Sequence, residues 1–207
     1  MDLGATLEVR GVWEVPASYG SEPREAEAMR SGLAVADISA RGKLHLSGSI
    51  DGVLSRMTGE AVDPLRTAAI TSGGTVARVA RDFALALFEP SGETDALTAV
   101  GELSAEAMAT DATSAMSAFL VAGPLIKPLL ARSMSVDVEE IQPGRCLAAR
   151  RAHIPAILVV SKPASLVVEI YVGSEYGRYA WRTLLELGDN LGGTPVGWKC
   201  LESSGWR

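Results

Sequence analysis

Alternating apolar and polar positions define the first clear elements of the chain. Residues Lys43–Ser47 have the period of two that is typical of a half-buried strand, which turns His45 away from the core. Directly after this segment, apolar residues recur at helical spacing, at Ile50, Val53, Leu54 and Met57. Gly59 follows them and is well suited to end a helix. The pattern therefore predicts a strand followed at once by an amphipathic helix.

Further elements are predicted on both sides of this pair. Pro16, Gly20 and Pro23 break regular structure in residues 1–23, so we expect an irregular lead-in, with a short helix over Glu22–Arg30. The strands Thr75–Ala80 and Phe83–Phe88 are predicted on either side of a tight turn. Thr94 is a suitable N-cap for a helix that would end near Ala109.

The second half of the chain repeats this succession in outline. It predicts strands at Ala118–Val121, Arg145–Arg151, Ala156–Val160 and Leu166–Val172, and helices at Leu125–Met134 and from Ser174 to Leu187. A strand, a helix, further strands and another helix, in this order twice, predict an α+β fold of two ferredoxin-like halves with antiparallel sheets. We expect the first half, with its lead-in, to span residues 1–112 and the second to span 113–207.

Composition and charge exclude several classes of protein. Of the 207 residues 47% are hydrophobic and 21% are charged, which provides a real core and excludes wholesale disorder. A net charge of −6 opposes nucleic-acid binding by bulk charge. With only two cysteines and two histidines, we expect neither a disulfide framework nor a metal site. The sequence shows no signal peptide and no membrane-spanning stretch, so a cytoplasmic protein is expected.

The common catalytic motifs are missing from the sequence. Neither a phosphate-binding GxxxxGK[ST] loop nor a GxGxxG after a strand occurs, and neither histidine lies in a GxSxG context. The residues alone assign no catalytic group.

Glu169 is the most unusual single residue. It lies inside the apolar run Val167–Val172 and, by alternation, shares a strand face with Tyr171. A carboxylate at such a position must face solvent, pair with a cation, or accept hydrogen bonds from a ligand. The sequence leaves two interpretations open: a charge at an edge or on the solvent side, and a carboxylate that binds the donor groups of a flat, amide-like heterocycle.

Two other features have more than one interpretation. Gly73-Gly74 could be a simple turn, or it could bring the backbone close to a ligand. Trp198 and Trp206 lie close together in the sequence, and an exposed Trp206 would be costly unless it docks on something, which suggests a partner surface.

The order of these motifs resembles the folate-binding region of the aminomethyltransferase family, which includes the T-protein of the glycine cleavage system. The resemblance covers about residues 12–202. It rests on VPASYG (15–20), EAEAMRSGLAVADISARGKLHLSG (25–48), TSGG (71–74), VAGP (121–124), VEIYVGSEYGRYAWRTLLELG (168–188) and GGTPVGWKCLE (192–202).

The resemblance implies a tetrahydrofolate site between the two halves. The carboxylate in the family's Glu-Ile strand contacts the pterin ring, and Glu169 stands at that position. Glu169, Tyr171, Thr71, Gly73 and Gly74 are therefore the candidate cofactor-binding residues.

Departures from the family pattern bear on catalysis. The aminomethyltransferases carry acidic residues just after the Gly-Gly, one of which is an Asp required for one-carbon transfer, whereas here Ala77 and Arg78 follow and the next acid is Asp82. Ala or Arg cannot accept a proton or stabilise a cationic amine. The sequence given also stops where full-length members continue into a third, barrel-like domain, which we therefore do not expect in it.

With these departures, the chain most resembles the small gamma subunit of heterotetrameric sarcosine oxidase. This likeness implies a non-catalytic accessory subunit of an amine-oxidising complex. A larger oxidase or dehydrogenase subunit would be its partner, with any flavin in that partner chain. The alternative is a stand-alone tetrahydrofolate-dependent aminomethyltransferase or demethylase, for which Asp37 and Asp82 are the candidate acids. A folate-binding regulatory or repair protein is a third possibility, although the repair branch's cysteine signature surrounds neither Cys146 nor Cys200.

Overall fold

Two sheets, antiparallel except for one short edge strand, pack face to face, are covered by helices on their outer faces and form the body of the protein. The computed structural model describes residues 3–103, 107–151, 153–161 and 166–206. The α+β class with antiparallel sheets is thus confirmed. Both sheets are open, and the described residues form no barrel.

The strands and helices follow each other in mixed order. The strands are β1 (Thr6–Arg10), β2 (Trp13–Ser18), β3 (Ala34–Asp37), β4 (Gly42–Gly48), β5 (Arg66–Ala69), β6 (Thr75–Ala80), β7 (Phe83–Phe88), β8 (Ala107–Asp111), β9 (Met116–Ala122), β10 (Cys146–Arg151), β11 (Ile154–Ser161), β12 (Val167–Gly173) and β13 (Thr194–Pro195). The helices are α1 (Glu22–Ser31), α2 (Asp51–Thr58), α3 (Glu93–Leu103), α4 (Ile126–Ser133), α5 (Gly177–Asp189) and α6 (Trp198–Ser203).

The five-stranded sheet has the order β5-β6-β7-β4-β8. Without β5 at its edge, this is the strand order of a ferredoxin-like unit in which α2 and α3 are the connecting helices. A core of aliphatic side chains between this sheet and α2 includes Leu46, Leu54 and Val76.

The six-stranded sheet has the order β10-β11-β12-β9-β3-β13, and α4 and α5 pack on its outer face. Its strand β3 comes from the beginning of the chain and pairs with β9. The predicted boundary at residues 112 and 113 lies between β8 and β9, whereas β3 carries the early part of the chain into this second sheet.

Alternation along β12 divides its side chains between two cores. Val168, Ile170 and Val172 point towards α4 and α5. Val167 and Tyr171 point into the core that lies between the two sheets and that also contains Leu85 of β7. Glu169 lies between Val167 and Tyr171 on the same face of the strand, so its side chain also points into the interface between the sheets.

Several local predictions are confirmed. The strands β6 and β7 have the predicted bounds, and α2 ends at Gly59, whose φ of +78° is left-handed.

Other local predictions are wrong. The lead-in is not irregular, because β1 and β2 form an antiparallel hairpin within it. The helix that starts near Thr94 ends at Leu103, and Ala107–Asp111 pairs with β4 as a strand. Ser174 begins a short 3-10 turn, and α5 starts only at Gly177.

Candidate functional site

Glu169 lies at the centre of a buried polar cluster between the sheets. Its Oε2 accepts a hydrogen bond from the Tyr171 hydroxyl at 2.5 Å and also contacts the Arg41 guanidinium in an ion pair. Its Oε1 accepts a hydrogen bond from the indole Nε1–H of Trp206 at 3.1 Å. Glu169 is 2% exposed and Arg41 is 3% exposed. The interpretation of Glu169 as an edge or solvent-side charge is therefore wrong.

Arg41 comes from the short connection between β3 and β4, where the chain passes from one sheet to the other. Its backbone N–H donates to the carbonyl of Ile38, which holds this connection in a tight turn. Sequence reasoning missed Arg41, because an arginine beside a glycine in a loop gives no indication that it enters the core.

The ionisation of the cluster follows from its burial and charges. Burial is the largest single effect on Arg41 and lowers its pKa, but the charge of Glu169, its hydrogen bond to Arg41 and the other nearby groups together outweigh burial, and the net shift is upward. Burial, followed by the charge of Glu169, raises the pKa of Tyr171 well above its usual value. Tyr171 therefore stays a neutral hydrogen-bond donor and Arg41 stays a cation that balances the carboxylate.

Trp206 is held against Glu169 by the way in which α6 ends. Gly205 adopts a left-handed φ of +79°, its N–H donates to the Glu202 carbonyl, and the Trp206 N–H donates to the Leu201 carbonyl. This is the Schellman arrangement, which places the residue after the glycine back over the end of its own helix. The guanidinium of Arg41 lies over the Trp206 ring at 5.2 Å from its centroid.

The two tryptophans dock on their own chain. Trp198 and Trp206 are 2% and 7% exposed and meet edge to face at 5.9 Å between ring centroids. The indole N–H of Trp198 donates to the carbonyl of Asp37. The prediction that these rings need a partner to cover them is therefore wrong.

Lys43, the first residue of the predicted strand Lys43–Ser47, is fully buried near Arg41. Its Nζ donates to the carbonyls of Ser39, Arg41 and Thr113 at distances between 2.7 and 3.1 Å. Burial, followed by the charge of Arg41, lowers the pKa of Lys43 to about 8. These bonds tie together the connection from which Arg41 projects.

Gly73 and Gly74 form the turn between β5 and β6. Both have a positive φ, of +104° and +106°. A Cβ on Gly74 would lie 2.4 Å from the Leu87 carbonyl oxygen, whereas a Cβ on Gly73 would meet nothing within 4 Å. Thr71 is bonded through its backbone N–H and its hydroxyl to the Met57 carbonyl. Turn geometry and close packing on β7 thus account for this motif.

A cavity of about 600 Å³ borders this turn and, of the Glu169 cluster, Arg41. Its lining includes Gly73, Gly74 and Arg41, together with the carboxylates Glu89 and Asp95 from the connection between β7 and α3 and from its first turn. Glu89 also lines a second cavity of about 490 Å³, with Trp198, Glu202 and Trp206. Sequence reasoning missed Glu89 and Asp95, since neither lies near the Gly-Gly pair in sequence.

The acids that were predicted to replace the missing aspartate lie elsewhere. Asp82 is in the turn that joins the far end of β6 to β7, about 20 Å along the strand from Gly74. Asp37 ends β3 and accepts the backbone N–H of Ser39. Arg78, which follows the Gly-Gly pair, has a structural role: it pairs with Asp51 and donates to the Val62 carbonyl.

Two further observations apply to the described part of the chain alone. No group of at least three His, Cys, Asp or Glu side chains there is arranged to hold a metal ion. No helix there is both long and apolar enough to cross a membrane.

The fold and the sequence both have counterparts among known proteins. The family model of the GCVT N-terminal domain matches residues 1–204, and the chain therefore belongs to this family. The aminomethyltransferases of Bacillus mycoides (strain KBAB4) and Bacillus cereus (strain AH187) are each 26% identical to it over 218 aligned positions. The alignments cover 94% of this chain and 57% of each relative, so the chain spans little more than half their length.

Two solved structures share the architecture. The glycine cleavage system aminomethyltransferase T from Bartonella henselae superposes with a TM-score of 0.83 over 98% of this chain and 58% of its own length, at 16% identity. A chain of the heterotetrameric sarcosine oxidase from Corynebacterium sp. U-96 superposes with a TM-score of 0.67 over 84% of this chain and 94% of its own, at 18% identity. Both likenesses confirm the predicted T-protein-like fold.

Proposed function

We propose that the chain is a non-catalytic accessory subunit of an amine-oxidising complex in tetrahydrofolate-linked one-carbon metabolism. In this proposal a larger oxidase or dehydrogenase subunit carries the chemistry, and any flavin, and this chain packs against it. Membership of the GCVT family supports the link to folate chemistry.

The state of Glu169 is the observation that carries the proposal. A carboxylate that binds a pterin ring must present free acceptor oxygens to the ligand's N–H groups. Here Arg41 and Tyr171 engage one oxygen and Trp206 engages the other, at almost complete burial. The residues around Glu169 do not fit a folate ring while Trp206 occupies this place.

The turn after β5 supports the same conclusion. The family's catalytic aspartate follows the Gly-Gly pair, and Ala77 and Arg78 follow it here. The Arg78 guanidinium is committed to Asp51 and to a backbone carbonyl, so this strand supplies no group that could accept a proton.

The likeness to a chain of a heterotetrameric oxidase also supports an accessory role. The likeness to a chain of the heterotetrameric sarcosine oxidase extends over nearly all of that chain, whereas the T-protein extends well beyond the matched part. A counterpart of such a subunit needs a companion to be active.

Purification of the chain with its natural companions tests this proposal. An affinity-tagged copy is expressed in the source organism, and the isolated material is assayed for oxygen consumption with N-methyl amines such as sarcosine. We expect a larger chain to co-purify in constant ratio and to carry the oxidase activity. Recovery of the tagged chain as an active monomer that transfers a one-carbon unit to tetrahydrofolate would overturn the proposal.

A stand-alone tetrahydrofolate-dependent aminomethyltransferase or demethylase is the second candidate, and one observation favours it. The cavity beside Gly73-Gly74 is lined by Glu89 and Asp95, so carboxylates are present there although the sequence motif lacks them. In this case Glu89→Gln should abolish one-carbon transfer to tetrahydrofolate by the isolated chain, while the exposed and distant Glu175→Gln should leave it unchanged.

A further inference from the structure

Trp206 makes the contacts that a bound heteroaromatic ring would make. Its ring is a flat, fused bicycle whose N–H donates to Glu169, and a guanidinium stacks on its face. A nitrogen heterocycle with N–H donors would satisfy the same carboxylate and the same cation in the same way.

The backbone attachment of Trp206 is local. The backbone around it is bonded to α6 itself, through the N–H groups of Gly205 and Trp206. No strand among the described residues pairs with this segment, so rotation about Gly205 could withdraw the ring without breaking either sheet. The contacts it would break are those of the ring with Glu169, Arg41 and Trp198. Its departure would leave Arg41 and Tyr171 on Glu169 and free the Oε1 atom.

One cavity borders the Trp206 ring and another borders the arginine that stacks on it. Trp206 lines the cavity of about 490 Å³, and Arg41, which stacks on it, lines the cavity of about 600 Å³. Glu89 borders both cavities. Withdrawal of the ring would therefore open the Glu169 carboxylate to a space of the size that ligand pockets have.

We propose that Trp206 is a built-in gate, a side chain of the protein that occupies the Glu169 site and that a nitrogen heteroaromatic ligand must displace. This inference rests on the proposed link to folate chemistry, and the ligand class is a reduced pterin. The gate lowers apparent affinity by the fraction of molecules in which it is open. With an open fraction of about 1–10%, the ligand would bind about 10- to 100-fold more weakly than to an ungated protein.

Calorimetric titration with 5-formyltetrahydrofolate tests the gate. We expect Trp206→Ala to bind at least about 10-fold more tightly than the wild-type chain, by the population argument above. Trp206→Phe, which retains an aromatic ring but loses the N–H donor, should fall between the two. The added substitution Glu169→Gln should remove the gain, and Trp13→Ala, in the hairpin, is the matched tryptophan control.

A second variant separates opening of the gate from a general loss of structure. Gly205→Ala keeps the indole but strains the left-handed turn that presents it, so it should also tighten binding. Circular dichroism confirms that each variant is folded. Unchanged or weaker binding by both Trp206→Ala and Gly205→Ala, or a gain that survives Glu169→Gln, would overturn the gate.

The gate and the proposed function fail in different experiments. Co-purification with a larger subunit and amine oxidation do not depend on whether the isolated chain binds the folate. If the gate exists but no companion co-purifies, only the proposed function fails. If a companion co-purifies but the Trp206 variants do not bind more tightly, only the gate fails.

Discussion

The Arg41–Glu169 pair shows most clearly how single residues determine what this site can do. Each charge is almost completely buried and is compensated by the other. The pair lies where the family resemblance predicted a ligand-binding carboxylate, so the same residue that would bind a pterin is part of the core. Glu169 could be singled out from the sequence because an acid in an apolar strand needs a partner. The partner, Arg41, could not be predicted, because it comes from the connection between β3 and β4, which is far from Glu169 in the sequence.

Removal of one member of this pair should be costly. Arg41→Met leaves the Glu169 carboxylate buried without its cation, and we expect a loss of about 3–5 kcal/mol in the free energy of unfolding. Urea denaturation measures this loss. Arg30→Met, which removes an exposed pair with Glu27, is the control and should cost less than about 1 kcal/mol. An Arg41→Met variant as stable as this control would mean that the pair is not buried in solution.

Lys43 should make stability depend on pH. Its pKa is lowered from 10.5 to about 8, so between these values the unfolded chain binds a proton that the folded chain lacks. The free energy of unfolding contributed by Lys43 therefore rises as pH increases from about 8 to 10.5. Between pH 7.5 and pH 10, the free energy of unfolding measured by urea denaturation should increase more, or decrease less, for wild type than for Lys43→Met. Equal changes in the two proteins would show that Lys43 is not the titrating group.

Among the strands and helices, those whose bounds depend on local sequence pattern were predicted correctly. The bounds of β6 and β7 follow from alternation around a tight turn, and α2 follows from its spacing of apolar residues and from Gly59. The hairpin of β1 and β2 escaped prediction because Leu7 and Val9 of β1 are exposed, so the strand does not mark a buried face. The end of α3 was placed too late because β8 is defined by its pairing with β4, which a local pattern does not reveal.

The Gly73-Gly74 turn provides a matched test of local geometry. Both residues have a positive φ, but only Gly74 is packed against the backbone of β7. Gly73→Ala should cost about 1–2 kcal/mol from strain alone, and Gly74→Ala should cost clearly more because its Cβ would collide with a carbonyl. Thermal unfolding of the two variants measures the difference. Equal losses would mean that the contact with Leu87 is relaxed in solution.

At the scale of the whole molecule, the site is created by the packing of the two sheets. Glu169 and Tyr171 come from the six-stranded sheet, Arg41 from the connection between the sheets, and Trp206 from the segment after α6. Motif order was sufficient to predict the fold class, and the acid within an apolar strand singled out Glu169. The sequence could not predict that the Trp206 indole would donate to Glu169, because this depends on where the end of α6 lies in space.

We propose that this chain retains the family fold without the family's transfer chemistry. The most direct test is an assay of the isolated chain for formation of 5,10-methylenetetrahydrofolate from tetrahydrofolate and aminomethyl donors, whose carbon is already at the formaldehyde oxidation level, beside a full-length aminomethyltransferase as positive control. We expect no product above the background without enzyme. Turnover by the isolated chain that is lost in Glu169→Gln would contradict this proposal, because the Glu169 site would then support one-carbon transfer and not binding alone.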